Sequence, residues 1–272
     1  MKRRKISGYI NIYSKKVKDQ IMQVGDNFFM SEGLPTLSEQ LFPCIDELIK
    51  NAIKANYKFI LIMDRIRDEV KKGKPSLQGV ELSKEILAIL HDKNRFESMA
   101  GPIIAAESLS AEVRRILNEE STHIKIRDKM YREHRAMTDD EIASVEQLRY
   151  LTGIKTKLKN ARIKIILKIE SDGEFVFIEV TNTAPILAND LKRIHEKRDE
   201  FRKYLEEGRE HEFFIFNMDT SDSGFGLGYA TIDSILKSIG LDPYNTIQIL
   251  AASDTTVILS FPITHLKQRA VS

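Results

Sequence analysis

Three short stretches of this chain combine residue types that could hold a phosphate and a metal ion. In Glu47-Leu48-Ile49-Lys50-Asn51-Ala52-Ile53-Lys54 a carboxylate and a carboxamide stand four residues apart. On a helix that spacing stacks two side chains on one face. Ile45, Leu48, Ile49, Ala52 and Ile53 give the same helix an apolar side for anchoring. Oxygen donors presented this way suit Mg²⁺, which takes few protein ligands and keeps water and phosphate oxygens for the rest. The same pattern also describes a plain solvated helix face. In Ile178-Glu179-Val180-Thr181-Asn182-Thr183-Ala184-Pro185-Ile186 a strand runs into a small polar turn. Asn182 offers both an acceptor and a donor, enough to read the edge of an adenine ring; a turn asparagine is the simpler alternative. In Ser223-Gly224-Phe225-Gly226-Leu227-Gly228-Tyr229 three glycines alternate just ahead of a helical pattern. Glycines let backbone approach a phosphate chain without a Cβ clash, and a helix start directs free amides at anions.

Two familiar phosphate-binding arrangements do not fit that glycine run. It does not sit between a strand and helix of a parallel βαβ unit, and no Gly-Lys-Ser/Thr follows, so neither a Rossmann site nor a P-loop is expected. A fourth stretch, Asp254 to Ile263, reads by itself only as a closing strand.

The elements that must position these residues are legible in outline. Val17, Ile21 and Val24 recur at helical spacing between Lys16 and Val24, and Ser31 to Thr36 interrupts them. One long helical pattern runs from Leu37 to about Ile62. From Met63 to Gly153 the chain is charged and helix-rich, with breaks expected at Gly73-Lys74-Pro75 and Gly101-Pro102. Thr138-Asp139-Asp140-Glu141 is a capping box, followed by Ile142, Val145 and Leu148 on one face, with Gly153 placed to end the helix. Then the period changes to two. Ile163, Ile165, Leu167 and Ile169 alternate with polar partners, Ser171-Asp172-Gly173 forms a hairpin turn, and Phe175, Phe177 and Val180 return. A charged helix over 187–210, a helix from Tyr229 to Ile239 stopped by Gly240, and strands over 247–251 and 256–261 complete the pattern. Helices followed by mostly antiparallel strands predict an α+β fold.

Composition narrows the functional classes. The 272 residues carry a net charge of only +2, so no global field favours nucleic acid or an anionic membrane. Cys44 is the single cysteine, which rules out an internal disulfide or a cysteine-based zinc site and fits a reducing cytoplasm. No apolar run reaches the ~20 residues of a membrane span, and the basic start Lys2-Arg3-Arg4-Lys5 lacks a signal peptide's apolar stretch. A cytoplasmic location without membrane insertion is expected.

Taken in order, the four stretches resemble the ATPase domain of histidine kinases, a Bergerat-fold family. Glu47…Asn51-Ala52-Ile53-Lys54 is similar to its asparagine box. Val180 to Leu187 is similar to the box that usually reads Asp-x-Gly-x-Gly, and Gly224-x-Gly226-Leu227-Gly228 to the second glycine box. Thr255-Thr256 through Pro262 is similar to the terminal strand. The resemblance implies a two-layer α/β sandwich of the Bergerat ATPase type, split over 41–62 and 156–265. An N-terminal segment covers 1–40, and a large helical insertion covers 63–155.

It further implies ATP and Mg²⁺ as cofactors. Asn51 would ligate the metal, Glu47 would act as general base, and Lys54 would meet phosphate. Asn182 and Thr183 would stand at the adenine, Gly224, Phe225, Gly226, Leu227 and Gly228 over the phosphates, and Thr256 on the closing strand. Residues 187–223 would form a mobile lid. The implied function is phosphoryl transfer from Mg-ATP to a protein histidine in signal transduction. Partners would be a response regulator or another phosphoacceptor protein, with a homodimer through the insertion. A non-catalytic, ATP-gated regulatory protein and an anti-sigma-type serine kinase are the alternatives. The sequence departs from the family pattern in three places: Asn182 stands for aspartate, and Ala184 and Ile186 stand for glycines. His91-Asp92-Lys93-Asn94 is similar to a histidine box but follows the asparagine box instead of preceding it.

Overall fold

A computed structural model describes residues 4–218 and 227–269. In chain order the elements are β1 (Arg4–Ile10), α1 (Lys15–Ser31), α2 (Leu37–Gly73), α3 (Gly79–His91), α4 (Lys93–Ala105), α5 (Glu107–Glu133), α6 (Asp139–Gln147) and α7 (Arg149–Asn160). There follow β2 (Ile165–Ser171), β3 (Phe175–Asn182), α8 (Ala188–Glu206), α9 (Glu210–Met218), α10 (Leu227–Ser238), α11 (Pro243–Thr246), β4 (Ile247–Ala251), β5 (Thr255–Pro262) and α12 (Ile263–Arg269). The chain divides into two units. The first takes Met1–Ile53, Ile124–Met137 and Arg162–Ser272, and the second Lys54–His123 and Thr138–Ala161. Among the described residues no helix is long and apolar enough to cross a membrane.

The first unit is α+β. Among the described residues its strands form one open sheet of order β1-β2-β3-β5-β4, and every neighbouring pair is antiparallel. The period-two alternation explains why it is one-sided. Ile165, Leu167 and Ile169 of β2, Val176, Ile178 and Val180 of β3, and Val257, Leu259 and Phe261 of β5 are all buried on one face. Against them pack Phe28 and Phe29 of α1, Leu41, Ile45, Leu48 and Ile49 of α2, and Ile232 and Leu236 of α10. The other face keeps polar residues in register: Lys168 lies opposite Glu179, with Nζ 2.8 Å from its carboxylate.

Local chemistry sets the turns. At the β2–β3 hairpin the Asp172 carboxylate accepts from the backbone N–H groups of Glu174 and Phe175, at 2.9 and 2.8 Å. Gly240 closes α10 in the left-handed region, at φ +79°, and lets the Leu241 N–H reach back to the Leu236 carbonyl. α2 runs on past Ile62 to Gly73, where Lys71 and Lys72 complement the helix end.

The second unit is helical. Ile62 and Ile66 of α2, Ile86 and Ile89 of α3, Leu109 and Ile116 of α5, and Leu151 and Ile154 of α7 are buried. Carboxylates of α5 tie its helices together. Glu112 accepts from Arg65 at 2.6 Å and from the Tyr150 hydroxyl at 3.1 Å. Glu119 accepts from the Leu151 N–H at 2.9 Å, and Glu120 pairs with Lys155 at 3.0 Å. Thr138 and Glu141 form the expected reciprocal capping box.

Two expected breaks are absent here. α6 stops at Gln147, and Gly153 lies inside α7. Burial of Leu151 and Ile154 on either side outweighs the roughly 1 kcal/mol that a mid-helix glycine costs. Gly101-Pro102 likewise lies inside α4, which ends three residues later at Ala105. A proline this near the end removes little of the hydrogen-bond ladder.

Candidate functional site

α2 turns its apolar face to the sheet, so Glu47 and Asn51 are left partly buried beside it. The neighbouring charge is fixed. Asp46 takes Lys18 at 2.8 Å and Lys50 at 2.5 Å. Burial works to raise the Asp46 carboxyl, but the bonds from Lys18, Lys50 and Tyr13 outweigh it and hold the group below the ordinary aspartate range.

What meets Glu47 and Asn51 is Gly228, the second residue of α10. A Cβ at position 228 would collide with Glu47 Oε1, and would lie 2.9 Å from Glu47 Cδ and 3.0 Å from Asn51 Nδ2. The φ of Gly228 is not in the left-handed region, so the demand for glycine here is one of space. The start of a 12-residue helix therefore abuts the carboxylate and carboxamide of α2. Its leading amides and positive dipole end favour an anion at this place.

α10 is held there by a buried ion pair. Arg198 of α8 donates two bonds of 2.9 Å to the Asp233 carboxylate and a third, of 3.1 Å, to the Pro243 carbonyl. The Tyr244 hydroxyl donates to the Arg198 carbonyl at 2.7 Å. Burial raises the Asp233 carboxyl above its ordinary range, with Arg198 pulling the other way. Tyr229 is buried, and that burial pushes its phenol up.

The end of β3 carries the second half of the site. Asn182 is 4% exposed and lies opposite Thr255 in the ladder, so both side chains point to the helix-covered face. The Asn182 Oδ1 accepts from the Ala184 N–H at 3.2 Å, and the Thr255 hydroxyl donates to the Ala184 carbonyl at 3.1 Å. Thr256 faces the opposite side of the sheet, where its hydroxyl meets that of Thr181 at 2.9 Å.

No protein-family model matches this chain, and no curated protein or solved structure matches it either.

The geometry thus brings Glu47, Asn51 and Gly228 together, and sets Asn182 beside Thr255 on the face that α2 and α10 cover. Other expected residues stand elsewhere. The Thr183 hydroxyl accepts from the Lys164 N–H at 2.7 Å and closes the end of the β2–β3 ladder. Lys54 follows Asn51 on α2 but belongs to the second unit. Leu227 packs on the cluster of Phe201, Phe213 and Ala230. Gly224, Phe225 and Gly226 lie outside the described residues. The described part of the segment expected as a mobile lid, 187–218, contains α8 and α9. They are anchored by Ile194 in the main core and by Phe201 against Phe213, with ring centroids 5.0 Å apart. His91 is exposed, at the last position of α3. Among the described residues no group of three or more His, Cys, Asp or Glu could hold a metal.

Thr255, Arg198 and Asp233 escaped the sequence reading. For Thr255 the signal is parity: counting by two from Phe261, Leu259 and Val257 reaches 255 and skips 256. For Asp233 it is a carboxylate on the apolar face of a helix, between Tyr229, Ile232 and Leu236. Nothing local marks Arg198 as its partner, 35 residues away.

Proposed function

We propose that this chain binds a purine nucleoside triphosphate with Mg²⁺ in a Bergerat-type site and transfers the terminal phosphoryl group to a protein, a histidine being the acceptor that the resemblance implies. The observation that carries this reading is the contact of Gly228 with Glu47 and Asn51. Gly228, at the end of the stretch that resembles the glycine box, lies far in sequence from the stretch that resembles the asparagine box, yet it meets Glu47 and Asn51 so closely that a Cβ there would force the Glu47 carboxylate to move. The one-sided antiparallel sheet, with α2 and α10 on its covered face, supports a two-layer sandwich of this type.

The residues present suit the group. Asn51 would offer its amide oxygen to the metal, and Glu47 a carboxylate. A magnesium ion would neutralise charge on the phosphates and leave most of its coordination to them and to water. Gly228 leaves backbone exposed where phosphate oxygens would lie, and the α10 amides supply donors. Glu47, within reach of the same place, would accept the proton of the attacking group. At the other end Asn182 and Thr255 would read the base, with Thr255 taking the part that the sequence assigned to Thr256.

Calorimetric titration of the full chain with MgATP and with MgGTP tests the binding claim: heat should appear with at least one, and should be lost in Gly228→Val. Silence with both nucleotides at millimolar concentration sinks it. Labelled γ-phosphate then tests transfer. Glu47→Gln should keep binding and lose roughly a hundredfold or more in labelling rate. Acid-labile label marks phosphohistidine, and acid-stable label marks a serine kinase. Binding without label on any protein would favour the nucleotide-gated alternative.

A further inference from the structure

We infer that the chain pairs with a second copy of itself through the outer edge of β1, in a two-fold dimer whose two five-stranded sheets become continuous. This goes beyond the nucleotide reading and does not depend on it. β1 pairs with β2 over all seven of its residues, Arg4 to Ile10, without a bulge. Among the described residues no strand pairs with its other side. That side presents a row of backbone donors and acceptors, the kind of edge that another strand extends. The devices that blunt such an edge are few here. β1 holds no proline, and its two charges, Arg4 and Lys5, stand together at one end. Arg4 is already engaged by the Ser31 carbonyl at 3.1 Å and by Glu32 at 3.5 Å.

The residues of β1 complement their own two-fold copy, as an isologous contact requires. An antiparallel pair that uses the whole strand is centred on Ser7. Position 6 then lies opposite 8 of the second copy, 5 opposite 9, and 4 opposite 10. On the face away from the helices, Lys5 of each copy meets Tyr9 of the other. Tyr9 is 66% exposed, and its ring already takes one cation, Lys164, with Nζ 4.9 Å from the centroid. On the helix-covered face, Ile6 of each copy meets Gly8 of the other. A Cβ at Gly8 would touch nothing within 4 Å, so an apolar side chain has open space to enter there, and Ile6 is only partly buried. Arg4 and Lys5 face Ile10 and Tyr9, so no like charges come opposite each other. β4, at the other edge, is shorter, with five residues, and offers neither a cation nor an aromatic ring.

Sedimentation of the full chain over a concentration series should show a monomer–dimer equilibrium. Two substitutions at Tyr9 then give opposite signs. Tyr9→Lys sets a cation opposite each Lys5 and should weaken the dimer roughly tenfold or more. Tyr9→Glu sets an anion there and should keep the dimer or tighten it. The side chain is exposed, and unfolding curves check that both variants keep the fold. Ser7→Cys places a thiol on the two-fold axis, where facing Cα atoms stand about 4.5–5.5 Å apart, within reach of a disulfide. Cys44 is buried, so mild oxidation should link two copies through position 7. Tyr9→Cys, which faces position 5 and not its own counterpart, should not link. A chain that stays monomeric into the millimolar range overturns the inference. So does a dimer that both charged Tyr9 variants leave equally tight, or one that Ser7→Cys fails to link.

Discussion

The two units handle charge in opposite ways. In the first, the deepest ion pair is a single one, Arg198 with Asp233, whose side chains are 7% and 0% exposed. In the second, charge is spread along α5. Glu112, Glu119 and Glu120 each tie a different partner, and most of these contacts stay partly open to water. The difference teaches where a single substitution should matter. A deep pair leaves an uncompensated charge when one member is lost, whereas a half-exposed pair gives its partner back to solvent.

That contrast can be broken by measurement. Asp233→Ala should cost about 3–5 kcal/mol in denaturant unfolding, because Arg198 is then stranded between α8 and α10. A loss under about 1 kcal/mol would place this pair with the surface ones. Glu120→Ala should fall in between, at roughly 1–3 kcal/mol, since Glu120 is the most buried of the three acidic residues and also meets Tyr57. Arg65→Ala, which removes the 2.6 Å contact with Glu112, should cost about 1 kcal/mol or less. Gly228→Ala should also stay below about 1 kcal/mol, as the atom in its way is the movable end of Glu47; a change that small cannot be a folding defect. Its effect should appear as weakened nucleotide binding. Calorimetry and unfolding on the same sample separate the two.

The smallest effect concerns acid. The Asp46 carboxyl titrates below its ordinary value because Lys18, Lys50 and Tyr13 outweigh the opposing effect of burial. Its contribution to stability is therefore complete above about pH 4 and fades as the pH falls through the lowered value. Asp46→Asn should flatten the acid side of the stability profile and leave its shape at neutral pH unchanged. An unaltered acid slope would show that the Lys18 and Lys50 contacts do not persist in solution.

Legibility in the sequence followed the range of the signal. The β2–β3 hairpin needed only alternation and Asp172-Gly173, and the start of α6 only Thr138 and Glu141; both formed as expected. Glycine and proline misled at Gly153 and Pro102, where burial of neighbouring residues or nearness to a helix end outweighed an intrinsic penalty. Pairing between distant segments had no local mark. β1 joins the edge of the sheet beside β2, with Arg4 opposite Ser171, and the sequence offered nothing to choose that edge. At the candidate site, residue types and helix spacing gave Glu47 and Asn51. The choice between Thr255 and Thr256 depended on strand parity, which a one-residue error inverts. The anchoring of α8 through Arg198 depended on a partner that only the folded chain brings near.

Cys44 has a practical consequence. It is wholly buried in α2, three residues before Glu47, and burial pushes its thiol up to about 12. A sulfhydryl reagent can therefore react only when the helix lifts from the sheet. The chain carries its own stopwatch for that opening, at the element that bears Glu47 and Asn51, and a ligand seated there should lengthen the time it reads.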